Sequence, residues 1–421
     1  MHAFWALVER TLPRIAAAVV MLGATWFVAP EVIGLYSWMT IILLATQALL
    51  DSPIRQIAVP VLTQPSGDRF LLKFRILASA TGVMVLVVAA GVLATTHPGA
   101  PLVTFMQLLP VAFVPVATSF GVRPVARLQS AEHWRALAGF QTVAAVSSFT
   151  VSLPLLFLTQ SLWAVSTQAL LAEGVMTVVT LVAARRLPAP TPIGAEPFRA
   201  ATELAPTVGY FMARWAQGQL DRVIVGLVAG TSMLAIYSLA VALSRSVGEV
   251  VSVAAGNVYR VRLVRVSRQD SGAVVALLSA TLVRQTSLAA IVAVAVALTA
   301  KTLLPVVLPS EWSALVGPTI ILAAGCVSLV PYSILVVTLV YLRRMKWASR
   351  IRFFGVALAV PVGLTAYIGL EAVAWASVAR DALLLVLTAY LMRDHLRTRA
   401  AAISATLVVS VTVVVAAMAV L

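Results

Sequence analysis

An all-α bundle of about 13 membrane-spanning helices is the fold this sequence predicts, and three observations carry the prediction. Hydrophobic residues make up 61% of the 421-residue chain and charged residues only 11%. Soluble globular chains carry about 45–50% apolar and about 25% charged residues, so the charge here is too sparse to coat a water-soluble surface. The apolar residues form continuous runs rich in Ala, Leu and Val, which selects helices over the alternating strands of a membrane barrel. The mean hydropathy is +1.00; at about 20 apolar residues per span, the length accommodates roughly 13 or 14 spans. A soluble enzyme, a disordered chain and a coiled coil are excluded.

Apolar windows place spans at about 12–30, 35–51, 75–96, 102–120, 136–157, 162–184, 204–229, 233–256, 277–304, 314–341, 352–370, 372–392 and 401–421. The first closes at Ala29-Pro30-Glu31 and is followed by further spans, so it reads as a retained helix rather than a cleaved signal peptide. Basic segments punctuate the rest in order. Arg10 and Arg14 precede span 1; Arg55, Arg69, Lys73 and Arg75 lie between spans 2 and 3. Arg123, Arg127 and Arg135 separate spans 4 and 5, and Arg185, Arg186 and Arg199 separate spans 6 and 7. Arg260, Arg262, Arg265, Arg268 and Arg284 follow span 8. Arg343, Arg344, Lys346, Arg350 and Arg352 follow span 10, and Arg393, Arg397 and Arg399 follow span 12. With a cytoplasmic N-terminus these segments hold 25 of the 30 basic residues, against Lys301 alone on the opposite side. The positive-inside rule accepts that asymmetry in one orientation only, that of an inner-membrane, multi-pass protein.

The net charge of +15 is therefore a topology signal. It is spread over seven short segments rather than one face, which argues against nucleic acid. The stretch 185–203, with Pro188, Pro190, Pro192 and Pro197, reads as a cytoplasmic linker. It divides an N-terminal lobe (1–184) from a C-terminal lobe (204–392), and 393–421 is an additional C-terminal helix. The outer loops, near 97–101, 158–161, 230–232, 305–313 and 370–371, are too short for a catalytic domain. The sequence holds neither a Gly-rich phosphate loop nor a Ser-His-acid arrangement. Its histidines lack ligand spacing, and Cys326 is the single cysteine. No enzyme activity, cofactor or metal is expected. Trp163 and Trp312 fall near expected membrane interfaces, where aromatic belts form. Pro331 within span 10 is a kink or a hinge.

Gly34-Leu35-Tyr36-Ser37 aligns with Ala235-Ile236-Tyr237-Ser238, each opening an even-numbered span. Parallel repeats would relate two six-helix lobes about an axis along the membrane normal. Together with Pro30-Glu31, Leu50-Asp51, Asp221-Arg222, Gly226, Gly230 and the weaker Gly369-Leu370-Glu371-Ala372, these residues resemble one transporter family. It is the polysaccharide-export branch of the multidrug/oligosaccharidyl-lipid/polysaccharide flippase superfamily. Ala235 departs from its pattern, standing where a glycine is typical, and an odd span count departs from its even one. The resemblance implies a two-lobed bundle with a central cavity. By alternating access it would turn a polyprenyl-pyrophosphate-linked oligosaccharide from the cytoplasmic to the outer leaflet. The implied partners are the lipid-linked sugar, membrane lipids and the glycosyltransferases or polymerase of the same pathway.

Ionisable residues within spans cost at least about 2.5–3.5 kcal/mol each and need a partner or water. Tyr210, Arg214, Gln217 and Asp221 share a face of span 7, and Ser238, Arg245, Glu249 and Ser252 share one of span 8. Ser166, Glu173, Thr177 and Thr180 do so on span 6, and Thr40, Gln47 and Asp51 on span 2. All four faces are expected to turn inward. Arg214 and Arg245, near mid-depth, are the candidate ligands for the pyrophosphate head, with Arg222 nearer the outside, because guanidinium binds phosphate as a planar fork. Asp221, Glu249 and Glu173 are candidates for a coupling ion. The alternative is structural pairing, Arg245 with Glu249 and Asp221 with Arg214 or Arg222. Arg380 and Asp381, adjacent in span 12, point to different faces and are expected to pair poorly. Rival functions are a drug/cation antiporter of the same superfamily, which should show an acidic cavity, and a membrane glycosyltransferase or polymerase. A non-transporting scaffold is disfavoured by the buried charge.

Overall fold

In a computed structural model, the described residues are Pro13, 15–62, Gln64, 67–96, 100–187, 200–266, 271–342, 344–396 and 398–420. They form helices and no strands, because hydrocarbon offers no partner for backbone N–H and C=O and a helix satisfies both internally. The helices are α1 (Ile15–Ala24), α2 (Pro30–Thr46), α3 (Ser52–Leu62), α4 (Gly67–Thr95), α5 (Pro101–Ala112), α6 (Val114–Ser130), α7 (Trp134–Thr159) and α8 (Trp163–Arg185). They continue with α9 (Ala200–Val266), α10 (Ser271–Thr302), α11 (Leu304–Val307), α12 (Val316–Tyr341), α13 (Met345–Leu364), α14 (Leu370–Leu391) and α15 (Thr398–Val420).

Among the described residues, 11 segments are long and apolar enough to cross a membrane, against the 13 expected. Two differences account for this. The described part of the first window is the short helix Ile15–Ala24, and windows seven and eight run on as Leu204–Arg245. Within α9 one residue leaves helical geometry: Gly230, at φ 87° and ψ 177°, a region that only glycine enters at little cost. The chain reverses there. Sixteen residues of unbroken helix span about 24 Å, yet the Tyr237 hydroxyl donates to Asp221 Oδ2 at 3.2 Å.

Contacts divide the chain into two compact units, Met1–Ala216 and Gln217–Leu421. In the first, α2 runs through a π turn (Gln47–Asp51) into α3. Ile54, Ile57, Ala58, Val61 and Leu62 of α3 pack on Leu71 of α4 and on Val122 and Ala126 of α6. Arg123 of α6 grips both carboxylate oxygens of Asp68 on α4, the Nη2 contact measuring 2.8 Å. Helix α8 packs on α5, α6 and α7.

The second unit is built around α12, which packs on α10, α14 and α15 and has 83% of its apolar window buried. Ala323, Ala324, Gly325, Cys326 and Ser328 are all buried on it; small residues let neighbouring helices approach closely. Pro331 is buried within the unbroken α12. Lys301, near the end of α10, donates to the Met418 carbonyl at 3.1 Å, so α10 and α15 run side by side to the same end. Trp312, expected near a membrane interface, packs inside the protein rather than on its surface. It is fully buried, because the turn Ser310–Leu315 before α12 tucks the ring into the unit.

Candidate functional site

The second unit contains a buried cluster of four charges. Arg245 (α9) donates through Nη2 to Asp381 Oδ2 (α14) at 2.9 Å and to the Ser377 hydroxyl at 2.6 Å. Arg380 Nη2 lies 3.1 Å from the other oxygen of Asp381, and Nη1 lies 3.6 Å from Asp221 Oδ2. Each of the four residues is at most 7% exposed. Two guanidiniums and two carboxylates balance, so the charge is neutralised where it is desolvated, as burial requires. Tyr237 and the backbone N–H of Arg222, at 2.9 Å, complete the shell of Asp221.

This geometry corrects the expectation for Arg380 and Asp381. Adjacent side chains leave a helix about 100° apart, but the arginine is long enough to fold back over the aspartate, and its Nε donates there at 3.1 Å. The described partner of Arg245 is Asp381. Glu249 lies on α9, and its side chain is outside the described residues, as is that of Ser252. Arg222 donates to Gln219 Oε1 at 3.1 Å. Gln217 Nε2 donates to the Tyr332 hydroxyl at 3.4 Å.

Arg214 differs from Arg245 and Arg380, which are buried and paired with carboxylates. It belongs to the first unit, where Trp215 donates to the Ile41 carbonyl of α2 at 3.2 Å. The Arg214 residue is exposed, and among the described residues no hydrogen bond or ion pair engages its guanidinium.

The first unit also holds a charge cluster. Arg55, assigned from sequence to a cytoplasmic segment, lies on α3 and donates through Nε to Asp51 Oδ2 at 2.7 Å and through Nη2 to the Thr118 carbonyl at 3.3 Å. Glu173 of α8 is within electrostatic reach of both. Most hydroxyls on those faces are satisfied within their own helices: Thr40 bonds the Tyr36 carbonyl, Ser166 that of Leu162 and Thr180 that of Met176. Thr177 instead reaches Ala117 on α6, at 2.7 Å. Tyr36 lines a cavity of about 110 Å³ with Met21, Ser148 and Gln168.

Sequence reasoning missed Arg55, Tyr237, Ser377 and the Arg380–Asp381 pair as members of these clusters. Asp51 and Arg55 carried a usable signal, the i,i+4 spacing of an acid before a base. The α14 residues carried none, because their partners are more than 130 residues away.

Comparison with known proteins adds independent findings. No curated protein matches the sequence. Among solved structures, the chain is similar to an inward-facing multidrug resistance MATE family transporter of the MOP superfamily (TM-score 0.66, 13% identity, covering 95% of this chain and 99% of that one). It is also similar to the lipid II flippase MurJ in an inward closed conformation (TM-score 0.69, 11% identity, 98% and 91%). A Vibrio cholerae MATE transporter matches with TM-score 0.60 and 14% identity over 93% and 96%. At these identities the likeness is one of fold. The profile of one family, described as polysaccharide biosynthesis protein, covers residues 70–317, which reaches from α4 into α12 and takes in most of the apolar helices described above. More than half of the sequence thus carries that family's pattern, on a fold similar to those of the transporters above, and the chain belongs to the polysaccharide biosynthesis protein family.

Proposed function

We propose that this protein is an inner-membrane flippase. It carries a polyprenyl-pyrophosphate-linked oligosaccharide from the cytoplasmic to the outer leaflet by alternating access, with its N-terminus in the cytoplasm. The observation that carries the reading is Arg214, an exposed guanidinium within an apolar helix that no described carboxylate neutralises. Holding an uncompensated cation there is costly, and the cost is offset when a pyrophosphate accepts its planar fork of donors. Family membership supports the sugar-polymer context, and the fold likeness to a lipid II flippase supports a lipid-linked cargo. Arg245, neutralised by Asp381, acts in this reading as a positioning residue. Arg222, already engaged with Gln219, supports the same end of the helix.

The test is leaflet exposure of a fluorescent polyprenyl-pyrophosphate sugar in proteoliposomes. Arg214→Ala is expected to slow exposure by at least tenfold, with Arg214→Lys retaining part of the rate. An unchanged rate in Arg214→Ala overturns the assignment. Extrusion of cationic dyes without movement of the lipid-linked sugar would favour a drug antiporter, and chain elongation by the pure protein would favour a polymerase.

A further inference from the structure

Of the seven short basic segments, one lacks acids. Segment 343–352 holds Arg343, Arg344, Lys346, Arg350 and Arg352, and no acidic residue occurs between Glu311 and Glu371. The other six each carry an acid within them or beside them: Glu9, Asp68, Glu132, Glu196, Asp270 and Asp394. A topology signal needs the bases only. The missing acids make this segment, in addition, an attractor for anions.

The acid-free segment forms the start of α13. Ala348, Ile351, Gly355, Ala359 and Val362 recur at steps of three or four and are buried, so one face of α13 packs into the second unit. The opposite face is exposed. It carries Lys346, Trp347, Arg350, Phe353 and Phe354, with Arg344 exposed at the N-cap. Arg350 stacks its guanidinium over the Trp347 ring at 5.0 Å, which engages the flat face and leaves the N–H edge for an anion. Among the described residues no carboxylate pairs with Arg344, Lys346 or Arg350. Arg343 lies outside the described residues, and Arg352 is half-buried. The short connection 365–369 joins α13 to α14 and the two helices pack together, so the end of α14 lies beside the start of α13. A second arginine–aromatic pair stands there: Arg393 lies over Tyr390 at 4.9 Å, and Tyr390 is 61% exposed. Arg393 also faces Asp394, at 3.8 Å.

We propose that the exposed start of α13 is a docking surface for an anionic phospholipid, whose phosphate is held by Arg344, Lys346 and Arg350. Trp347, Phe353 and Phe354 then lie along the glycerol and the upper acyl chains, the level at which amphipathic rings and long basic side chains settle. A lipid fits this surface where a soluble acidic partner does not. The same exposed face continues past the cations through Val360 and Leu364, about 27 Å beyond Lys346, within a helix apolar enough to cross a membrane. A partner confined to water cannot follow it; a lipid with head and tails matches it end to end. Zwitterionic headgroups balance their own phosphate, so an acid-free basic cluster favours lipids of net negative charge. Which leaflet supplies the lipid rests on the orientation proposed above. The binding itself rests on neither that orientation nor transport.

The experiment uses the full chain in detergent, with phosphatidylglycerol or phosphatidylcholine added and retained lipid read by native mass spectrometry. Phosphatidylglycerol is expected to bind at least tenfold more tightly. Lys346→Gln/Arg350→Gln is expected to weaken it by at least tenfold, and the charge-keeping Lys346→Arg/Arg350→Lys to stay within about threefold of the parent. Arg69→Gln/Lys73→Gln removes the same charge from exposed positions on α4 and is expected to change binding less than twofold. Trp347→Leu, which keeps every charge, tests the surface should the double glutamine variant fold poorly; it is expected to weaken binding about two- to fivefold. Equal binding of the two lipids, or equal losses in the α13 and α4 double variants, overturns the proposal. A farnesyl pyrophosphate probe whose binding falls in Lys346→Gln/Arg350→Gln while that of phosphatidylglycerol does not would assign the patch to the cargo, and overturns it as well.

Discussion

Removing Asp381 isolates what holds the C-terminal unit together. Its two oxygens receive Arg245 at 2.9 Å and Arg380 at 3.1 Å. In Asp381→Ala, two buried guanidiniums share the single carboxylate of Asp221, which lies 3.6 Å from Arg380. Breaking a buried pair from one side costs about 3–5 kcal/mol, because the surviving charge stays desolvated. For a unit of about 200 residues, 1 kcal/mol shifts the unfolding midpoint by about 2–4 °C, so a drop of about 6–20 °C is expected. The assay is thermal unfolding in detergent, followed by tryptophan fluorescence. The double variant Arg245→Met/Asp381→Leu removes both partners and leaves Arg380 opposite Asp221. It is expected to recover at least half of the loss, since apolar replacement of a whole pair is close to neutral. A drop below about 2 °C for Asp381→Ala, or a double variant no more stable than the single one, would refute the neutral-cluster argument.

Gly230→Ala is expected to destabilise by about 1–3 kcal/mol through backbone strain alone, since a Cβ there meets nothing within 4 Å; thermal unfolding reads the loss, and a filling mutation nearby should not restore it. Gly363→Ala has the opposite cause. Its Cβ would come 2.5 Å from Ile224 Cβ, an overpacking cost of about 1–3 kcal/mol; Ile224→Ala, which keeps that Cβ, is not expected to relieve it, whereas Ile224→Gly is expected to relieve it in part in the same assay. Tyr237→Phe takes a hydroxyl from Asp221 and should cost about 1.5–3 kcal/mol, as for hydrogen bonds to charged groups. Cys326, 1% exposed with its thiol toward the Ser244 carbonyl at 3.3 Å, is expected to resist maleimide until the protein unfolds, which mass spectrometry checks.

Composition and hydropathy determined the all-α membrane fold, because the free energy of placing apolar side chains and paired backbone in hydrocarbon is summed over local windows. The loop at 230–232 marked the turn between two spans, and the spacing of polar residues picked out Asp51, Thr177, Asp221 and Arg245, which are buried, together with Arg214, which was expected to face inward and is exposed. The partners of the charges were decided only by tertiary structure. Arg245 lies four residues from Glu249, yet its guanidinium is bound by Asp381, more than 130 residues away. Trp312 looked interfacial and is fully buried. Arg214 and Arg245 are each an arginine deep in an apolar helix by sequence, yet Arg214 is exposed while Arg245 is buried with Asp381 at 2.9 Å. Coulombic pairing and desolvation depend on that through-space distance, which no local pattern along the chain encodes.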